Sequence, residues 1–77
     1  GIVFDSGSAS LKSESFAVLK EMAAVLSENP GVKVHIIGHT DSDGDASLNQ
    51  SLSQKRAEAV KSALSGQFGI DSARMTT

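Results

Sequence analysis

The chain has 77 residues and a formal charge of -2, so it holds one domain at most, and a chain this short buries only about 60% of its unfolded surface. Phe4, Phe16 and Phe68 are its aromatics, with no Trp or Tyr; the core must come from Leu, Ile, Val and Ala, and the interspersed charges leave no basic footprint for nucleic acid or an anionic membrane surface. There is no cysteine for disulfide or thiolate chemistry, and the apolar runs fall far short of the roughly 18 to 20 residues that cross a bilayer, so the domain itself is not expected to span a membrane.

Ile2-Val3-Phe4 is apolar and mostly β-branched, which predicts a short first strand, and Asp5-Ser6-Gly7-Ser8 ends it with turn chemistry. A chain that opens on strand residues is expected to be a domain excised from a longer protein. From Ser13, the residues Phe16, Leu19, Ala23 and Leu26 recur at three- and four-residue steps, which predicts an amphipathic helix with Ser13 as its N-cap. Asn29-Pro30-Gly31 stops it, because the residue before proline avoids helical backbone.

Val32 to Ile37 then alternates, with Val32, Val34 and Ile36 on one side and Lys33, His35 and Ile37 on the other, predicting a second strand. Strand, helix and strand with short links make a βαβ unit, so the first two strands are expected to run parallel. After Gly38 and a polar turn, a second helix is predicted with an apolar stripe of Leu48, Leu52, Ala59, Val60, Ala63 and Leu64, ending near Gly66. Ser53 is read either as the cap of a second helical segment, which would re-aim Arg56, or as an ordinary exposed serine, the reading preferred. Phe68-Gly69-Ile70 should fold back on this helix, Asp71-Ser72-Ala73 should turn, and Arg74 to Thr77 should open a third strand. The order βαβαβ predicts an α+β two-layer sandwich, with helices on one face of a sheet that has an open edge.

Ligands of open α/β sheets gather at the carboxyl ends of strands, which nominates Asp5 to Ser8 and His39-Thr40-Asp41. Asn49, Leu52 and Arg56 stand at i, i+3 and i+7 on the second helix, so Asn49 and Arg56 share a face about 10 Å apart. Asp41 from the loop and Arg56 from the helix can form a dipolar clamp, the guanidinium binding a carboxylate and the aspartate an ammonium; the matching ligand is a zwitterion. The alternatives are that the two charges pair with each other, or that Asp41 caps the helix. Asp41, Asp43 and Asp45 suggest calcium, but a helix-loop-helix site would need glycine and glutamate where Ala46 and Leu52 stand. His39 beside Asp41 has no nucleophile elbow to serve, no phosphate loop fits, and the polar turn offers nothing to raise a carboxyl pKa. No catalytic residue, metal or cofactor is expected.

Gly38-His39-Thr40-Asp41, then Gly44, Asn49, Leu52-Ser53, Arg56-Ala57 and Val60, resemble in order and spacing the OmpA-like C-terminal domain. That is the peptidoglycan-binding module of outer-membrane proteins, peptidoglycan-associated lipoproteins and flagellar motor stators. The likeness extends through Phe4, Leu11, Gly69-Ile70 and Arg74 and covers nearly the whole chain. It implies non-catalytic binding of the diaminopimelate in the peptidoglycan stem peptide, in the periplasm, by a domain attached to the outer membrane through the rest of its protein. Asp41 would hold the ammonium and Arg56 the carboxylate, with Asn49, Thr40, Leu52 and the loop Asp5, Ser6 and Gly7 completing the site. Leu48 departs from the family, which usually carries an aromatic there. The family also continues into a glycine-rich loop, a basic segment and a strand inside the sheet, so residues 1–77 are expected to be one OmpA-like domain, incomplete at its C-terminus. A second expectation follows from the open sheet edge: an interaction domain that pairs through that edge with a protein partner, or with another copy as a homodimer.

Overall fold

Leu19, Ala23 and Leu26 lie three and four residues apart, and helical periodicity brings them to one face. In the computed structural model, which describes residues 2–40 and 44–77, they form the buried side of α1 (Phe16–Glu28). Phe16 is half exposed and tilts its ring against Phe68, with centroids 5.3 Å apart. Ser13 does not cap this helix: Ser13–Ser15 form a 3-10 turn ahead of it, without a side-chain cap. Ser15 is fully buried, and its hydroxyl accepts from the Val3 N–H at 2.6 Å and donates to the Val3 carbonyl at 2.9 Å. A buried hydroxyl with a backbone pair within reach satisfies that pair rather than a local helix end.

The second helix, α2 (Ala46–Phe68), has 23 residues, about 34 Å at the helical rise, and accounts for most of the 40 Å length of the molecule. It runs unbroken through Ser53, whose hydroxyl donates to the Gln50 carbonyl at 2.8 Å. No second helical segment begins at Ser53, and the residue is half-buried rather than exposed. Its buried residues begin only at Ala57 and continue through Val60, Ala63 and Leu64. Leu52 and Ala59 are half-buried and Leu48 is 70% exposed, because the first turns of α2 project past the core. The helix passes Gly66 and stops at Phe68. Gly69 then takes a left-handed φ of 69°, and the N–H groups of Gly69 and Ile70 turn back to the carbonyls of Ser65 and Leu64. Ile70 is thereby buried, as the fold-back predicts.

The parallel βαβ unit is built around α2. β1 (Val34–His35) pairs in parallel with β2 (Met75–Thr76), Val34 opposite Met75 and His35 opposite Thr76. The Ile36 N–H adds a bond to the Thr76 carbonyl at 2.8 Å. Val34 and Ile36 pack on the core formed by the two helices, Ile70 and Met75, so the class is α+β with helices against a sheet. Ile2 to Phe4 do not join that sheet. Phe4 makes an isolated antiparallel bridge with Leu11, flanked by bonds from Lys12 N–H to Val3 and from Asp5 N–H to Ser10. The turn at Asp5 to Ser8 reverses the chain at once and supplies this local partner. Between Ile2–Phe4, α1 and residues 34–39, an apolar groove of about 920 Å³ is open.

Arg74, read in sequence only as the start of a strand, donates from Nη2 to the carbonyls of Leu26 and Asn29 at 2.7 and 2.8 Å and from Nε to Val32 at 3.1 Å. It thus places a positive charge at the negative end of α1, adding to the backbone bonds that the Leu26 and Asn29 carbonyls already accept from Asn29 and Val32. At the other end of the sheet, Gly38 lies directly against the backbone of α2. A Cβ built there would overlap the Ser53 carbonyl oxygen and come within 3.1 Å of the Ala57 nitrogen, whereas one on Gly66 meets nothing within 4 Å. Gly38→Ala should therefore lose about 1 to 3 kcal/mol of stability through overpacking, while Gly66→Ala in the helix should gain about 0.5 to 1 kcal/mol. Urea denaturation of the two variants beside the unsubstituted chain measures both; an unchanged midpoint for Gly38→Ala would show that this contact does not set the helix position.

Candidate functional site

Because Gly38 has no side chain, the segment after β1 lies flush on α2 at Ser53 and Ala57. Residues one and two turns along the same helix face then flank His39 and Thr40. Asn49, Gln50 and Ser53, with Gly38, His39, Thr40 and Ala46, line a shallow cavity of about 410 Å³. Arg56 reaches the same segment from the other side, its Nη1 donating to the His39 carbonyl at 3.2 Å. The helical spacing that put Asn49 and Arg56 on one face is realised, with the strand end lying between their side chains.

The rest of Arg56 is held by the first hairpin. The turn Asp5 to Ser8 closes with the Ser8 N–H on the Asp5 carbonyl at 3.1 Å, and Gly7, at its third position, has φ of 62°, the left-handed region that glycine enters freely. The Ser8 hydroxyl accepts from the Ser10 N–H at 2.9 Å and braces the far side of the turn. Two turn carbonyls face the guanidinium: Nε donates to Ser8 at 2.9 Å and Nη2 to Asp5 at 3.5 Å, the longest and weakest of the set. The ring of Phe4 lies beneath, with its centroid 5.0 Å from Cζ.

Every hydrogen bond of Arg56 among the described residues goes to a neutral carbonyl. An arginine side chain carries five N–H groups and stays charged at any physiological pH. With one bond each from Nε, Nη1 and Nη2, one N–H on each of Nη1 and Nη2 meets no acceptor among the described residues. That pair of donors matches the two oxygens of a carboxylate.

The other sequence-predicted residues fall as follows. Asp41, with Ser42 and Asp43, lies outside the described residues. Thr40 and Asn49 meet at the small cavity. Asp5, Ser6 and Gly7 form the turn, and Asp5 meets Arg56 through its main chain. Leu52 is half-buried and lines neither the groove nor the cavity. Phe4 is not among the residues nominated for the site, yet its ring touches Arg56, as does the main-chain carbonyl of Ser8 in the nominated Asp5 to Ser8 loop. A contact made by a backbone carbonyl leaves no side-chain signature to read, and a phenylalanine in a strand reads as core.

Asp45, third of the loop aspartates, is the N-cap of α2. Its carboxylate accepts from the Ser47 hydroxyl at 2.7 Å, the Ser47 N–H at 2.8 Å and the Leu48 N–H at 3.3 Å. The Ser47 hydroxyl first, then the two backbone N–H groups, hold its carboxyl below the usual aspartate range.

The OmpA family model matches residues 3–77. The chain belongs to the OmpA family. It is 47% identical over 76 residues, 99% of its length, to the probable lipoprotein YiaD of Escherichia coli, of which it spans 34%. It is 37% identical over 76 residues to outer membrane protein Omp38 of Acinetobacter baumannii, covering 99% of this chain and 21% of that protein. The peptidoglycan-associated lipoprotein of Haemophilus influenzae is 39% identical over 64 residues, 83% of this chain and 41% of the relative. This OmpA-family chain thus corresponds to a fifth to two fifths of the length of these relatives.

A lowered folded-state pKa at Asp45 means that its cap stabilises the OmpA-family domain fully above the unfolded aspartate pKa of about 3.9 and fades as pH falls through the folded value. Asp45→Ala should accordingly lower the melting temperature at pH 7, and the gap between variant and parent should close as the pH is taken from 5 to 2. Thermal melts followed by circular dichroism across that range check it; a gap independent of pH would contradict the cap.

Proposed function

We propose that this domain binds peptidoglycan non-covalently through the diaminopimelate of the stem peptide, and so anchors an envelope protein to the cell wall. The observation that carries the reading is Arg56. Its cation is fixed at the carboxyl-terminal edge of the sheet by carbonyls and a ring, with an N–H on each Nη directed to no acceptor among the described residues. Such a group recognises a carboxylate, and the free end of diaminopimelate offers one beside an ammonium. Asp41, next in sequence to Thr40 of the cavity, is assigned to the ammonium. Asn49 and Thr40 would line the ligand on the helix side, and the Asp5-Ser6-Gly7 turn on the other. Membership of the OmpA family and the likeness to a peptidoglycan-associated lipoprotein and outer membrane proteins support wall binding and a place in the periplasm, attached to the outer membrane through the longer protein.

A second reading, an interaction domain that takes up a protein strand or a second copy, draws on one observation. Among the described residues β1 has a partner on one side only, and the apolar groove runs along residues 34–39.

Co-sedimentation with purified peptidoglycan separates the two. Under the wall-binding reading the protein sediments with a diaminopimelate wall, and Arg56→Ala or Asp41→Ala each weakens this by about 2 to 5 kcal/mol, roughly 30-fold or more. A wall with lysine in place of diaminopimelate lacks the carboxylate and should bind poorly. Undiminished binding in both variants would sink the clamp, and concentration-dependent dimers that both variants preserve, without wall binding, would favour the second reading.

A further inference from the structure

We propose that Phe4 is a positioning residue for Arg56, holding the guanidinium in place for a ligand carboxylate without occupying its hydrogen-bond donors. The inference rests on the reading that Arg56 holds that carboxylate. The backbone on both sides of Phe4 is fixed by four bonds: Val3 N–H and carbonyl to Ser15 Oγ, Lys12 N–H to the Val3 carbonyl, and Asp5 N–H to the Ser10 carbonyl. The side chain packs against the core on one side and carries the Arg56 Cζ 5.0 Å from its ring centroid on the other. That distance is inside the roughly 6 Å over which a ring quadrupole attracts a cation.

The division of labour follows from donor counting. Each carbonyl that grips Arg56 consumes one N–H, and a further polar partner would consume one of the two that a carboxylate needs. A ring face attracts the charge and restrains the plane while taking none. An aliphatic side chain fills most of the same core space and loses this restraint, so the positioning role separates from the packing role in the choice of substitution.

The test compares Phe4→Leu, Phe4→Tyr and the unsubstituted chain by two readouts. In the ligand-free protein, the Arg56 Nε–Hε resonance of Phe4→Leu should lose the upfield displacement given by the ring and exchange faster with water. Phe4→Tyr should keep both. In titrations with free meso-diaminopimelate, Phe4→Leu should bind about three- to tenfold more weakly, and Phe4→Tyr within about twofold of the parent. Thermal melts confirm that the variants are folded; if Phe4→Leu does not fold, Phe4→Met takes its place. An Arg56 resonance and an affinity both unchanged in the aliphatic variant, or an equal loss in the tyrosine variant, would overturn the role. If the unsubstituted chain fails to bind diaminopimelate, the ligand reading falls, and the ligand-free resonance alone then decides whether Phe4 holds Arg56.

Discussion

The guanidinium of Arg56 joins three parts of the chain that are far apart in sequence. It draws together the carbonyls of the Asp5–Ser8 turn, the carbonyl of His39 at the strand end, and the helix that carries it. Charge-assisted bonds of this kind are stronger than neutral ones, and every acceptor of Arg56 among the described residues is neutral, so none of them cancels the charge. Carbonyls and an aromatic ring hold the cation in place.

The arrangement depends on how closely β1 and α2 approach. Gly38 allows main chain to touch main chain at Ser53 and Ala57, which sets the height of Arg56 relative to the His39 carbonyl and of Asn49 relative to Thr40. The cap at Asp45 fixes where α2 begins, and its unbroken course through Ser53 fixes the rotation of Arg56 about the helix axis. On the far side, Ser15 and the Phe4–Leu11 bridge hold the turn that supplies two of the acceptors. The site therefore depends on the close approach at Gly38, the cap at Asp45 and the hairpin held by Ser15.

Much of this was legible in the residues. The three- and four-residue spacing located both helices and the core positions Leu19, Ala23, Leu26, Val60, Ala63 and Leu64; the Gly38 to Arg56 pattern located the edge where Arg56 sits and pointed to the OmpA family. What escaped was non-local. Ser13 has a better sequence signature for a cap than Ser15 has for its role, because the hydroxyl of Ser15 answers to a backbone pair 12 residues away. Gly66 and Gly69 are equivalent as helix stops until the burial of Ile70 chooses between them. Leu48 belongs to the helical stripe by period, yet it extends beyond the core and stays exposed. Ile2 to Phe4 have the composition of a strand, and only the pairing reveals a local hairpin instead of a place beside β1.

The central claim is that the carbonyl-held cation reads a carboxylate, and the Arg56 Nε–Hε resonance reports on it directly. Titrating the protein with meso-diaminopimelate and, separately, with Nα-acetyl-lysine amide compares a ligand with a carboxylate beside its ammonium and one that keeps the side-chain ammonium but has no free carboxylate. The account predicts a saturable displacement of the Arg56 signal with diaminopimelate and none with the blocked lysine at the same concentrations. Equal displacement by both ligands, or a diaminopimelate complex that leaves the Arg56 signal where it was, would contradict it.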